Sequence, residues 1–375
     1  MPTTPNPDPD EDDRHDDLPP PGPVYYAEQA LLGALLLEPH RHRALTGIDA
    51  GSFSYAAHGA VFTAISTLPA PDPVQHAQNT VWLNQVLTAA REQTRGLTGP
   101  YLHTLISACP QPRHAAAYAR MIEADHARRT LRGQAQHLAQ TATNPALPHP
   151  VPTVLAEADT LTAIVDGLAA RFPPHPGAPP RAPAPPPHPH CDGHEEALDE
   201  ERLLLATATT HPGEIERMRW LTDSDFTHPL HAGLWTCLTG LARRGAPIDP
   251  VTVLWEAQQR GLTTEIVPAD LIHGLSVPAG SAAYYGERVL ERSVLATAHE
   301  VGCRIKAFTA DPATTPYQLV LGSRRALADL SAVRTRWNHA TSPATPAAKS
   351  ARRRSSAPPR AGPPRTAAPP VHISR

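Results

Sequence analysis

Residues 173–190 read PPHPGAPPRAPAPPPHPH, and ten of these eighteen are proline. Proline has no backbone N–H and a fixed φ, so this run can join neither a helix nor a sheet; an extended polyproline II rod is predicted. At about 3.1 Å per residue, the stretch from Pro173 to His194 spans at most roughly 70 Å. Folded structure must therefore lie on either side of it. A spacer is the plain reading of the rod, and a docking site for a proline-recognising domain is the sharper one.

The two sides are alike. With Glu28 placed over Glu201, Pro39 falls on Pro212, Leu45 on Met218, Ile48 on Leu221 and Phe53 on Phe226. His58 then meets His231, Phe62 meets Trp235 and Ile65 meets Leu238, all at one offset of 173. A second register places Pro110 on Pro278, Arg120 on Arg288, Ile122 on Leu290 and Glu123 on Glu291. Chance does not hold one offset across apolar and special positions in this way. The pattern is a duplicated domain of about 145 residues rather than a short-period solenoid.

A chain of 375 residues accommodates two such domains, each long enough to bury an ordinary core. Net charge is −3, so no global field selects a partner. The ends differ: Asp8–Asp17 is acidic, whereas residues 340–375 carry no Asp or Glu and include Lys349 and six arginines. Both tails are expected to be disordered. The four cysteines are scattered, with no C-x-x-C spacing, as in a reducing compartment. With no secretory signal and no apolar run of membrane-spanning length, a cytoplasmic protein is expected.

Helical signals fill both copies. Tyr26–Leu37 is a strong helix stopped by Pro39, with Glu28 in its first turn, where the helix dipole favours a carboxylate. Glu201–Thr210 and Pro212 repeat it. Short helices follow at 40–45 and 214–220, then longer ones at 56–68 and 229–243. Asp249-Pro250 marks a helix start, an N-cap acceptor followed by proline at the first helical position. The first copy has its looser counterpart at 80–95, and short helices begin near Pro100 and Pro268. Leu290, Val294, Ala298, Val301, Ile305 and Phe308 then form one apolar stripe. So do Val154, Ala158, Leu161, Val165, Leu168 and Phe172. Each copy thus ends in two long helices joined at a proline turn. The predicted class is all-α: two small helical bundles, each followed by a helical hairpin.

The motifs AEQALLGALLLEP (27–39), YLHTLISACP (101–110) and AAYARMIEA (116–124) resemble the N-terminal domain of DnaB-type replicative DNA helicases. In the second copy the resemblance rests on GAPIDPVTVLWEAQQRGL (245–262). Both copies keep the Phe-x-x-x-x-His step, Phe53/His58 and Phe226/His231. The resemblance implies a helical bundle and hairpin without chemistry of its own. In the family this domain forms a collar, its hairpins pair between subunits, and it receives the primase; the ATPase motor is a separate domain.

No motor is expected here. A P-loop needs a lysine after glycine to hold phosphates, and the two lysines, Lys306 and Lys349, follow Ile305 and Ala348. The residues after Trp337 are too few for a nucleotide-binding domain. No catalytic residue, cofactor or metal is expected. His188, His190, Cys191 and His194 have metal-ligand chemistry but sit in the rod without a second pair, so a solvated linker is the reading. His58 and His231 are assigned to packing or capping, and Glu28, Glu123, Glu201 and Glu291 to caps and salt bridges. The arginines 128, 129, 132, 243 and 244 are read as solvated basic faces.

The predicted order is an acidic tail (1–23), a first DnaB-like domain (24–172), the proline linker (173–194), a second DnaB-like domain (195–338) and a basic tail (339–375). The hairpins nominate an interface: Tyr118, Ile122, Leu131, Leu161 and Val165 in the first copy, and Leu290, Val294, Val301, Leu330 and Val333 in the second. A non-catalytic interaction module of DNA replication is expected, associating with itself or with the replicative helicase, primase or a helicase loader. The rival reading is a nucleic-acid binder acting through Arg352, Arg353 and Arg354, with non-specific, salt-dependent DNA contact. An inactive helicase relic is the third.

Overall fold

Every regular element is a helix among the residues that the computed structural model describes, 21–173, 194–264 and 267–342. The proline run, the acidic segment 8–17, His188, His190, Cys191 and Arg352–Arg354 lie outside them.

The first copy runs α1 (Pro23–Leu37), a 3₁₀ turn at Pro39–Ala44, another at Ala50–Ser52, α2 (Ala56–Thr67), α3 (Pro73–Gln78), α4 (Val81–Gln93) and α5 (Gly99–Ser107). The long hairpin follows as α6 (Ala115–Ala142) and α7 (Pro150–Arg171). The second copy runs α8 (His194–Thr210), α9 (Gly213–Arg217), a 3₁₀ turn at Asp223–Asp225, α10 (Pro229–Arg244), α11 (Pro250–Gln259) and α12 (Pro268–Leu275). Its hairpin is α13 (Ala282–Ala310) and α14 (Pro316–Thr341). The chain is two similar helical domains in tandem, each a bundle followed by a hairpin.

Local chemistry explains the boundaries. Proline opens α1, α3, α7, α10, α11 and α12, where its missing N–H would have no intrahelical partner. Asp249 accepts from Val251 N at 2.8 Å and Thr252 N at 3.0 Å, capping α11 as expected. Asp72 does the same for α3, accepting from Val74 N at 3.0 Å and Gln75 N at 3.1 Å. That helix was not expected, although Asp72-Pro73 is the same signal. Gly245 ends α10 at φ +63°, a left-handed cap suited to glycine.

Several boundaries differ from expectation: α14 runs to Thr341, into the stretch 339–375 expected to be a disordered tail, and α9 ends at Arg217 rather than Trp220. Helix α1 starts at Pro23, so Glu28 is a turn further in than the sequence suggested and is fully buried. Helix α8 starts at His194 rather than Glu201, because Ala197, Leu204 and Leu205 bury one side of it.

There are two cores, and their division does not follow the duplication. Leu31, Leu32, Leu35, Val61, Val86, Leu105 and Ile122 centre one, built by the bundle of the first copy and the opening turns of α6. The other joins the hairpin of the first copy to the whole second copy: Leu131, Leu138, Leu161 and Val165 share it with Trp235, Val294, Val301 and Leu330. The described residues through Ala340 form one unit.

Candidate functional site: the paired hairpins

The expected interface residues fall into two groups. Tyr118 is partly buried against the first core and Ile122 lies inside it. Leu131, Leu161, Val165, Leu290, Val294, Val301, Leu330 and Val333 belong to the joint core, where each is at most 8% exposed. The hairpins therefore bury these side chains within one chain.

Helices α6 and α13 run antiparallel across this seam. Arg128 contacts the end of α13, Ala135 faces Gly302, and His299 Nδ1 meets Ala139 O at 3.2 Å. At Gly302 a Cβ would lie 2.6 Å from Ala135 O and 2.9 Å from Ala139 Cβ. Only a residue without a side chain admits the α6 backbone this closely.

Arg128 locks the seam. Its guanidinium donates to Thr309 O at 3.3 Å, Asp311 O at 2.6 Å, Pro312 O at 3.4 Å and Thr314 O at 2.5 Å. A helix leaves its last carbonyls without intrahelical donors, and a cation is favoured there by the dipole. One side chain of the first copy thus caps a helix of the second. The basic-face reading of Arg128 is corrected here: its partners are backbone atoms across the seam. Arg129 is also engaged, with Asp125 at 2.8 Å and Ser52 O at 2.6 Å, and Arg244 pairs with Glu256 at 2.8 Å.

Helices α7 and α14 approach each other around a cleft of about 290 Å³. Asp166 accepts from Arg324 at 2.7 Å, and Asp159 from Arg334 at 3.0 Å. The first pair is 59% and 54% exposed, so it adds only ~0–1 kcal/mol. Sequence reasoning missed all four residues, because nothing local marks a charge whose partner lies on another domain.

Each bundle holds a buried carboxylate–imidazole contact, repeated at the offset of 173. Glu28 accepts from Ser54 N, Ser54 Oγ and His58 Nδ1, each at 2.6 Å. Glu201 accepts from Thr227 N at 2.6 Å, His228 N at 3.4 Å and His231 Nδ1 at 2.7 Å. Ser54 and Thr227 stand just before the N-caps of α2 and α10, so each carboxylate ties the segment entering that helix to the opening helix of its bundle. Burial raises both carboxyls, but the hydrogen bonds from the histidine and the Ser or Thr outweigh it and hold them below the usual carboxylate range. The His58 ring packs against Tyr25, Tyr55 and Tyr101, and its Nε2 has no hydrogen-bond partner. Burial, with Tyr25, Glu28 and Tyr55 nearby, pushes the Tyr101 hydroxyl up to about 12. Glu123 pairs with Arg171 at 3.4 Å, tying α6 to α7, whereas Glu291 pairs with Arg288 at 2.6 Å within α13 itself.

Among the described residues no cluster of His, Cys, Asp or Glu has the makings of a metal site, and no helix is long and apolar enough to cross a membrane.

The family of the DnaB-like helicase N terminal domain matches twice, over residues 23–124 and 194–291. The chain is also 37% identical over 94 residues to the replicative DNA helicase DnaB of Mycobacterium leprae. That alignment covers 24% of this chain and 15% of the relative's length. No solved structure matches. The two matched segments take in both bundles and both carboxylate–imidazole contacts, and the chain belongs to the DnaB-like helicase N-terminal domain family.

Proposed function

We propose that this chain is a non-catalytic adaptor of DNA replication, a pair of collar-type domains that grips other replication proteins. The observation that carries this reading is the double match to a domain family named for a replicative helicase, in a chain whose hairpins pair with each other. With the hairpins occupied internally, the two bundles are the faces left for a replicative helicase, a primase or a helicase loader in the cytoplasm.

The test is retention of those three proteins on the immobilised full chain, alongside an ATPase assay. Retention of one at micromolar concentration, with no ATP hydrolysis, is the expected result. Failure to hold any of them, or ATP turnover by the purified chain, refutes the reading. A basic tail free of acidic residues favours a second reading, in which Arg352, Arg353 and Arg354 contact DNA phosphates. A salt titration of DNA binding, with and without residues 340–375, separates the two.

A further inference from the structure

The hairpins are built on one plan but are not interchangeable. Contacts between α6 and α13 at Arg128–Thr309, Ala135–Gly302 and Ala139–His299 define a pseudo-twofold relation between the copies. In the register that sets Ile122 on Leu290, Arg128 corresponds to Ala296 and Gly302 to Gln134. Setting Val165, Leu168 and Phe172 on Leu330, Val333 and Trp337 places Asp159 on Arg324, Asp166 on Ser331 and Ala169 on Arg334. Arg128, Gly302, Asp159, Asp166, Arg324 and Arg334, whose side chains or lack of one shape the seam, are thus each replaced in the other copy by a residue of different chemistry, whereas Ala139 and Thr309, which contribute backbone oxygens, keep Ala307 and Thr141 as counterparts.

We propose that this seam is a heterotypic docking surface whose fitting partner is the other copy, and that each hairpin rejects its own kind. Two hairpins of the second kind would have no Arg128 to cap either long helix. They would also set Arg324 against Arg334 where the mixed pair has an aspartate facing each arginine. Two hairpins of the first kind would put Gln134 at the place of Gly302, where even a Cβ lies 2.6 Å from a backbone oxygen. They would also oppose Asp159 to Asp166. Only the mixed pair has the arginine cap, the glycine notch and the acid-to-base match together. A duplicated domain in this form closes on itself rather than joining further chains through its hairpins. This does not rest on which replication protein the bundles hold.

The test rewrites the code in the full chain. One variant gives the first copy the second copy's residues: Arg128→Ala, Gln134→Gly, Asp159→Arg, Asp166→Ser and Ala169→Arg. Another adds the reciprocal set, Ala296→Arg, Gly302→Gln, Arg324→Asp, Ser331→Asp and Arg334→Ala, which exchanges the two faces. Hydrogen exchange at the α6 and α13 amides is the readout, with α1 and α2 as the control for folding. The one-sided variant should exchange at least tenfold faster along both long helices, and the double exchange should recover most of that protection. Unchanged protection in the one-sided variant overturns the proposal, because the seam would then be unselective. Failure of the exchanged chain to recover also overturns it, because the residues would then be merely structural.

Discussion

Replacing Glu28 by alanine tests the buried carboxylate as the tie between α1 and the segment that leads into α2. The substitution removes three hydrogen bonds of 2.6 Å, two from Ser54 and one from His58. Ser54 is exposed, so water takes over its N–H and hydroxyl at little cost. His58 is 0% exposed and its Nε2 already lacks a partner, so the loss of Glu28 leaves the whole ring unsatisfied. A buried polar group stripped of its partner costs ~1–3 kcal/mol, and the charge-assisted bond itself adds ~1.5–3 kcal/mol. The expected destabilisation is therefore about 3–5 kcal/mol. A single melting curve will not report it cleanly, because the first bundle has its own core and the chain need not unfold in one step. Native-state hydrogen exchange resolves it: the amides of α1, α2 and α5 should lose that free energy while those of α10 and α13 keep theirs. Glu28→Gln, which keeps the shape and one acceptor, should cost about half as much. A loss below about 1 kcal/mol in Glu28→Ala would refute the reasoning, since a single exposed cap is worth that much.

Three further outcomes follow from the same geometry. The Glu28 and Glu201 carboxyls are held below their ordinary value of 4.5, so the unfolded chain binds more protons than the folded one in acid. Their contribution is complete above that value and disappears as pH falls through the folded pKa; denaturant midpoints measured from pH 6 to 3 should fall, and the Glu28→Gln/Glu201→Gln pair should flatten the fall. Arg128→Ala leaves the α13 carbonyls without their cap and should cost ~1.5–3 kcal/mol, while exposed Arg132→Ala should stay within ~0.5 kcal/mol, both read from exchange at the end of α13. Leu138→Ala opens a cavity at a fully buried site of the joint core and should cost ~2–5 kcal/mol, detected in α13 as well as α6.

Much of the fold was legible because long helices write their buried side at fixed spacing. All six residues of the α13 stripe, from Leu290 to Phe308, are buried, and so are the five stripe residues in α7, from Val154 to Leu168, while Phe172 just beyond it is partly buried. The constant offset of 173 also carried the site: Glu28, Ser54 and His58 map onto Glu201, Thr227 and His231. What was not legible is long-range and directional. Glu28 looked like a first-turn residue because nothing near it announces a partner 30 positions away. Arg128 sits among neighbouring arginines, and its acceptors are backbone carbonyls more than 180 residues distant, which carry no side-chain signature. The helix α3 was readable, since Asp72-Pro73 repeats the cap of α11, but its short length and lack of an apolar stripe hid it.

The placement of the two cores shows why the pairing is part of folding rather than an accessory to it. Leu131, Leu138, Leu161 and Val165 do not continue the core of their own bundle; they share one with the second copy. Separating the hairpins would return that stripe to water, at ~25 cal/mol for each Å² of apolar surface. A tether between the copies also gives the internal partner an effective concentration on the order of millimolar. A hairpin from another chain, present at micromolar concentration, competes at a disadvantage of about a thousandfold before any selectivity of the seam is counted. Duplication within one chain therefore makes the pairing of the hairpins an internal joint of the fold.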